Sequence, residues 1–302
     1  MSGPDNRPAA GGEARQTVSG GVLLAGGAFA LWGVLPLFYK ALGHVPVLDV
    51  LAHRGIWALV FLAFIVTLTR RWAIVAGALT SPRVLGLLVV TGVLIGGNWG
   101  GFIYAVDAGR VLEASLGYFI NPMMNVALGV VLLGEKLNGP QKAAIACAAL
   151  GVLNQVILIG TVPWIALFLA TSFAAYGYLR KTVSVESLDG LFVEMLVLAP
   201  LMIGYLVWAE GPALGFAGAD AWTIMLLLLT GPFTAIPLLL FAAGARRIHL
   251  ATLGILQFIA PSIMFLMAVF LFGEPFMLAN ALTFGLIWTG LAVFAWDAWR
   301  SR

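Results

Sequence analysis

The sequence predicts an all-α membrane protein, with ten transmembrane helices arranged as two inverted five-helix repeats. Three observations lead to this fold class. First, 62% of the 302 residues are hydrophobic and only 10% are charged, whereas about a quarter of the residues in a soluble domain are charged. Second, the apolar runs are about 20 residues long without period-2 alternation, which indicates helices rather than barrel strands. Third, part of the sequence recurs at a fixed spacing.

This repeat is clearest in residues 115–135, where seven of 21 positions are identical to those 139 residues later. The matches include Pro122 with Pro261, and the Gly-Glu pair ending at Glu135 with the pair ending at Glu274. Chance similarity between two apolar helices would predict matches at Leu and Val instead. An internal duplication is typical of transporters built from two halves.

Ten apolar runs follow one another along the chain, and glycine, proline and charged residues separate them. We place the spans near residues 20–40, 46–69, 83–106, 111–133, 140–160, 162–180, 188–209, 221–243, 250–272 and 277–297. The joints are Gly43–Pro46, Arg70–Arg71, Ser81–Pro82, Asp107–Arg110, Gly139–Pro140, Gly160–Pro163, Gly211–Pro212 and Arg246–Arg247.

The expected domain organisation follows from these spans. Residues 1–19 are polar and rich in Gly, Ala, Pro and Arg, so we expect a disordered tail. Residues 20–160 form the first repeat, residues 161–299 the second, and residues 300–302 a short tail. No cleavable signal peptide is evident, because the first apolar run leads directly into further spans.

The basic residues predict the orientation. With the N-terminus in the cytoplasm, 13 of the 16 Lys and Arg residues lie in cytoplasmic segments, and Glu210, Asp220 and Glu274 lie on the opposite face. Five spans per half is an odd number, so the second half enters the membrane from the other side and the repeat is inverted. We therefore expect a multi-pass protein with both termini in the cytoplasm.

Ionisable side chains inside apolar spans are costly and usually face a cavity or a partner. Arg54 and Glu194 are 140 positions apart, so they occupy nearly equivalent places in the two repeats with opposite charge. We hypothesise that Arg54 faces a central cavity and binds an anionic group such as a carboxylate. Glu194 or Glu113 would balance that charge or accept a proton. The alternative is a structural ion pair between Arg54 and Glu113 or Asp49, and both interpretations stay open.

Polar residues also accompany the duplicated prolines. Gln257 lies at the repeat position of Tyr118, and Pro122 and Pro261 follow four residues later. A proline inside a helix kinks it and frees a carbonyl one turn earlier, as a site or gate requires. Two bent helices packed for shape are the alternative. The expected substrate-binding residues are Arg54, Asn98, Glu113, Tyr118, Asn121, Tyr176, Glu194 and Gln257, with Pro122 and Pro261 as kink or gate residues.

The sequence lacks the motifs that several other classes of protein function require. No Walker-type phosphate loop is present, so we expect no direct use of ATP. Three histidines and the single Cys147 give no metal cluster and no catalytic constellation, so we expect no enzyme, metal or cofactor. The net charge of +3 is modest, and the basic residues are dispersed among loops. Both observations argue against a nucleic-acid partner. A non-transporting membrane sensor or assembly protein stays open, and a membrane enzyme is less favoured.

Several segments resemble a known family: LAHRGIWAL (51–59), LIGGNWGGFIYAV (94–106), LEASLGYFINP (112–122), FAAYGYLRK (173–181) and residues 236–269. The chain is similar to the drug/metabolite transporter superfamily, in its EamA-domain branch and of the RarD type. The resemblance implies two EamA-like repeats and a secondary transporter of the bacterial inner membrane. It further implies export of a small amphipathic metabolite or drug, such as an amino acid or a chloramphenicol-like compound, by alternating access. The expected partners are the lipid bilayer, the small-molecule substrate and protons, and we expect a monomer or a weak homodimer.

Overall fold

The computed structural model describes residues 10–133, 138–211, 214–216, 218–245, 247 and 256–300. These residues form helices and connecting turns, without a strand among them. The helices are α1 (Ala10–Ala41), α2 (Val47–Leu68), α3 (Trp72–Thr80), α4 (Pro82–Asp107), α5 (Val111–Leu133), α6 (Gly139–Asn154), α7 (Trp164–Thr182), α8 (Ser187–Glu210), α9 (Ala221–Ala245), α10 (Ile259–Leu266) and α11 (Leu278–Arg300).

Within the described residues, six helical segments are long and apolar enough to cross a membrane. They are residues 19–41, 47–68, 82–107, 139–158, 187–210 and 221–241, and residues 259–271 and 278–293 form shorter apolar helices. The predicted all-helical, multi-span architecture is therefore confirmed, and the count of ten spans stays a prediction.

Two features differ from those expected, and one expected span lies partly outside the described residues. Helix α1 begins at Ala10, so the segment predicted to be a disordered tail is helical from that residue on. Helix α3 was not predicted; its nine residues are too few to cross a bilayer. It packs against α4 and α8. The ninth expected span is described only from residue 256, since residues 248–255 lie outside the described part.

Two of the helices end in a wider π-helical turn. Helix α6 continues as Gln155–Ile159 and stops at Gly160, whose φ of 75° is left-handed. Helix α10 continues as Met267–Leu271 and is followed by Gly273 with a φ of 67°. Glycine adopts such a conformation without steric cost, so both helices end where the sequence supplies one.

The helices interlock across the two predicted halves. Helix α6 packs on α11, α5 on α7, α1 on α9 and α10, α2 on α8 and α9, and α4 on α7 and α8. Glycines permit the closest approaches: a Cβ on Gly290 of α11 would lie only 2.8 Å from the Ala144 carbonyl oxygen of α6. In lipid, helix association depends on such close packing and on polar bonds rather than on the hydrophobic effect.

Candidate functional site

A cavity of about 320 Å³ lies inside this helical arrangement. Its walls come from α1, α2, α4 and α5 and from α7, α8, α9 and α10, so both predicted halves contribute. The walls are predominantly apolar, with a few polar groups among them, as is usual for small-molecule sites. The aromatic residues in the wall are Phe29, Trp32, Trp99, Phe102, Tyr118, Phe173, Tyr176 and Phe241.

Most of the predicted site residues lie in this wall. Glu113, Glu194 and Pro122 are not part of it. The predicted residues that line the cavity are Arg54, Asn98, Tyr118, Asn121, Tyr176, Gln257 and Pro261.

Arg54 is the most unusual of these residues. Its side chain is buried, and its Nε donates a hydrogen bond of 3.0 Å to Thr234 Oγ1. The guanidinium carbon lies 4.0 Å from the centre of the Trp99 ring and 5.5 Å from that of Tyr39. One terminal nitrogen of Arg54 has no hydrogen-bond partner among the described residues.

The structural ion pair that we considered for Arg54 is not formed. Asp49 instead accepts a hydrogen bond of 2.8 Å from the Tyr205 hydroxyl. Glu113 forms an ion pair with Arg110, three residues earlier. No other described carboxylate pairs with Arg54, so its positive charge is stabilised only by aromatic faces and a hydroxyl.

Glu113 was expected to bind substrate, but it lies at a helix end instead. It occupies the first turn of α5, and its Oε1 accepts a 2.9 Å hydrogen bond from the Ile165 backbone N–H in the first turn of α7. The carboxylate therefore satisfies a donor at a helix start, where negative charge is favoured. Its observed role is to join α5 to α7.

Glu194 does not line the cavity, but it contacts two residues that do. It is fully buried and accepts a 2.6 Å hydrogen bond from Thr91 Oγ1 and a 3.4 Å bond from the Tyr176 hydroxyl. Arg180 approaches it to 3.7 Å as an ion pair. Tyr176 and Arg180 themselves line the cavity. In the sequence, Arg180 ends a predicted span and is one of the basic residues placed in cytoplasmic segments.

The side-chain amides in the wall differ in how many of their hydrogen-bonding groups are already used. Asn98 donates from Nδ2 to the Leu169 carbonyl at 3.0 Å and to Ser172 Oγ at 2.9 Å, which joins α4 to α7. Asn121, by contrast, has a buried Oδ1 without a hydrogen-bond partner among the described residues. Gln257 is half-buried in the turn before α10. Asn121 therefore has a buried acceptor left over.

The two prolines behave differently. Pro122 lies inside α5, which runs on from Val111 to Leu133. Pro261 was expected to kink a continuous span, but it is the third residue of α10, which begins at Ile259. A proline in the first helical turn is tolerated because its missing N–H would lack a helical partner there. Its carbonyl accepts a 2.8 Å hydrogen bond from Ser115 Oγ of α5.

Glu274 also positions the wall, although the sequence marked it only as part of the repeat and as an acidic residue opposite the cytoplasmic face. Its two carboxylate oxygens accept hydrogen bonds from the backbone N–H groups of Val111 and Leu112, at 2.7 and 2.8 Å. Burial raises the pKa of Glu274, while these two N–H donors oppose that rise. The contact fixes the start of α5, the helix that carries Tyr118 and Asn121.

An ion pair between Arg71 and Asp189 holds the start of α8. Arg71 donates from Nε and a terminal nitrogen to both oxygens of the buried Asp189, at 2.6 to 3.1 Å. The hydrogen bonds to Asp189 raise the pKa of Arg71. Ser187 and Leu188, beside Asp189 in the same turn, line the cavity. No group of three His, Cys, Asp or Glu side chains in the described ranges could hold a metal.

Comparison with known proteins assigns this arrangement to a family. The model of the EamA-like transporter family matches residues 19–156. An uncharacterized transporter of Vibrio cholerae is 44% identical over 95% of this chain and 95% of its own length. The chain belongs to the EamA-like transporter family. Its RarD-type relatives include the protein RarD of Escherichia coli, which is 42% identical over 95% of this chain and 97% of its own length.

Two further similar proteins extend the comparison. The chloramphenicol-sensitive protein RarD of Pseudomonas aeruginosa is 34% identical over 93% of this chain and 95% of its own length. A crystal structure with 22% identity covers 94% of this chain and 99% of its own, with a TM-score of 0.57, which indicates a shared fold. This chain is thus an EamA-type, multi-pass membrane transporter of the RarD kind.

Proposed function

We propose that this protein is a ten-span secondary transporter of the bacterial inner membrane that exports a small amphipathic metabolite or drug. The cavity is its substrate site, and the two halves rock around it to give alternating access. The observation that carries this proposal is the buried, unpaired guanidinium of Arg54 in a cavity with walls from both halves. Buried polar atoms without partners are rare in proteins and need an explanation.

The packing supports two inverted repeats. Let α1, α2, α4, α5 and α6 correspond in order to α7, α8, α9, α10 and α11. Exchanging the halves then converts the α1–α9 contact into α7–α4, and the α5–α7 contact into α10–α1, and all four contacts occur. The α2–α9 and α8–α4 contacts are exchanged in the same way. The expected repeats of residues 20–160 and 161–299 are consistent with this exchange.

Two glycine pairs support the same relation. Gly92 and Gly231 are 139 positions apart, and each lies against the backbone of the second helix of the opposite half. Gly151 and Gly290 are also 139 apart, and each packs on the helix that carries the other. A repeat spacing that recurs in close backbone contacts is difficult to attribute to chance similarity between apolar runs.

Arg54 and Glu194 would be the matched charges of this pseudo-symmetric pair. Arg54 on α2 donates to Thr234 on α9, and Glu194 on α8 accepts from Thr91 on α4. We propose that Arg54 binds an acidic or strongly polar group of the substrate, with Tyr118, Asn121 and the other lining residues around it. Glu194 is the proposed proton acceptor if exchange with protons drives transport, because Tyr176 and Arg180 connect it to the wall.

The experiment is flux in proteoliposomes. Purified protein is reconstituted, and uptake and counterflow of labelled chloramphenicol, amino acids and an aromatic carboxylate such as indole-3-propionate are measured with and without a pH gradient. We expect solute movement that depends on the protein and is reduced at least tenfold in Arg54→Gln. Arg83→Gln is the matched control, because Arg83 is exposed on α4 away from the cavity.

Two outcomes would contradict the proposal. Equal flux in wild type and Arg54→Gln would remove the cavity as the transport site. Solute binding without any flux, for every solute that binds, would favour a sensor or assembly role instead. A pH gradient that changes flux in wild type but not in Glu194→Gln would support proton exchange through Glu194.

A further inference from the structure

The charges around the cavity define the class of solute that it accepts. We infer that the substrate is an organic anion with a flat apolar body and no ammonium group. This inference rests on the proposed function, since it names the solute of the same site. Three features of the wall carry it: an unpaired cation, the absence of a carboxylate among the described lining residues, and aromatic faces together with a free acceptor.

The unpaired cation is Arg54. A buried charge is costly unless it is paired, and Arg54 has only the Thr234 hydroxyl and two ring faces. The free terminal nitrogen leaves at least one donor for a ligand. A carboxylate is the group that a guanidinium binds best, because its two oxygens match the spacing of the N–H groups.

The second feature is that no carboxylate is found among the described residues of the wall. Arg54 and Arg180 are the charged residues among the described residues that line the cavity. Glu194, the nearest acid behind the wall, is already engaged by Thr91 and Arg180. An ammonium group would find no free carboxylate and would face two guanidinium groups. The cavity therefore disfavours cations, and it gives a zwitterion no partner for its amine.

The third feature fixes the body of the solute. Trp32, Phe29 and Phe241 form a cluster whose ring centres are 5.4 to 5.7 Å apart. All three line the cavity, together with Trp99 beneath Arg54. Flat apolar groups pack well against such faces. The free Oδ1 of Asn121 can accept a hydrogen bond from a ring N–H or a hydroxyl group of that body.

Four probes with one shared body test the charge class. They are indole-3-propionate (an anion), its amide (neutral), tryptophan (a zwitterion) and tryptamine (a cation). Binding to the full-length protein in detergent is measured by isothermal titration calorimetry. We expect the acid to bind roughly tenfold or more tightly than the other three, as loss of a charge-assisted hydrogen bond implies.

Variants locate the effect. In Arg54→Gln the acid and its amide should bind with about equal affinity. In Arg83→Gln the affinity ratio of acid to amide should be the same as in wild type. Arg54→Lys keeps the positive charge but lacks the two parallel N–H donors of a guanidinium. It should therefore retain only part of the preference for the acid over the amide. Melting temperature and gel filtration establish that each variant is folded. The comparison of acid with amide in the wild-type protein needs no variant at all.

The outcomes separate this inference from the proposed function. Equal binding of acid and amide, no binding of the acid at millimolar concentration, or a preference for tryptamine or tryptophan would overturn the anion inference. Counterflow of tryptamine or tryptophan would then leave the transport function intact. Selective binding of the acid without counterflow in proteoliposomes would instead preserve the anion inference and remove the transport function.

Discussion

Two arginines in the wall of the same cavity are stabilised in opposite ways. Arg180 lies 3.7 Å from the buried Glu194 and donates to the Glu186 carbonyl at 3.2 Å, although one of its terminal nitrogens, like one of Arg54, has no hydrogen-bond partner among the described residues. Arg54 has no carboxylate partner in the described part of the chain and rests on Trp99. The Arg180 charge therefore has an acidic partner in the protein, whereas no described carboxylate balances the Arg54 charge. This difference is the reason for the proposal that Arg180 supports the wall and that Arg54 recognises the solute.

The largest expected effect is on the stability of the paired region. Arg180→Met would leave Glu194 buried without its cation, which should lower the free energy of unfolding by about 3 kcal/mol. Urea or thermal unfolding in detergent measures this loss. Arg83→Met, at an exposed position, is the control. A loss no larger than that of the control would mean that the Arg180–Glu194 pair is not structural.

Arg54→Met is the matched variant at the unpaired region. Removing a buried charge that has no ionic partner should leave stability unchanged or raise it. The same variant should weaken binding of an anionic solute at least tenfold, since the guanidinium is lost. Unfolding and calorimetry on the same preparation check both expectations. A destabilisation as large as that of Arg180→Met would erase the distinction between the two arginines.

A smaller effect is expected at the threonines that hold the two charges. Thr234→Val removes the acceptor of Arg54 Nε and keeps the shape, so binding of an anion should weaken about fivefold, or about 1 kcal/mol. Thr91→Val removes the corresponding donor to Glu194 and should lower stability while leaving anion affinity nearly unchanged. Reversal of these two effects would contradict the division of roles.

Effects of similar size are expected at the two carboxylates that accept hydrogen bonds from the starts of α5 and α7. Glu274→Ala removes the acceptor at the start of α5, and Glu113→Ala the one at the start of α7. Each should lower stability by about 1 kcal/mol, as the loss of a helix cap does. Glu274→Ala should also weaken anion binding, because α5 carries Tyr118 and Asn121. Unchanged affinity would mean that the position of α5 is not critical for the Arg54 region.

The smallest effect is at Asp220, which precedes α9, the helix of Thr234. Hydrogen bonds from the Thr223 side chain and backbone N–H lower the pKa of Asp220. Its contribution to stability is therefore complete above the ordinary carboxyl pKa of about 4 and is lost as pH falls through the lower folded value. Asp220→Asn should lose less melting temperature than wild type over that acidic range. An identical pH profile would contradict the role of this carboxylate.

Much of the cavity could be predicted from the sequence. Arg54, Asn98 and Asn121 stand out because polar side chains inside apolar spans are costly, and burial toward a cavity is the usual solution. The repeat added Tyr118 and Gln257 through their positions before the prolines. The signal in each case was a residue type in an environment where lipid excludes it.

Other features left no such signal. A carboxylate in the first turn of a span can bind a ligand or cap a neighbouring helix, and only the fold shows that Glu113 caps α7. Thr234 is unremarkable, since threonine in a span usually bonds its own backbone, as Thr234 also does to Thr230. Arg180 lies where topology alone explains a basic residue. Sequence spacing does not reveal that it turns back to Glu194.

The unpaired guanidinium also bears on energetics. If the proposed anion crosses without a coupled ion while Arg54 stays in the protein, each turnover carries one negative charge through the bilayer. A voltage of 100 mV, negative inside, is worth about 2.3 kcal/mol per charge, or roughly a fiftyfold concentration ratio. The voltage that a bacterium maintains would then push such a solute outward by itself, without help from a proton or a nucleotide.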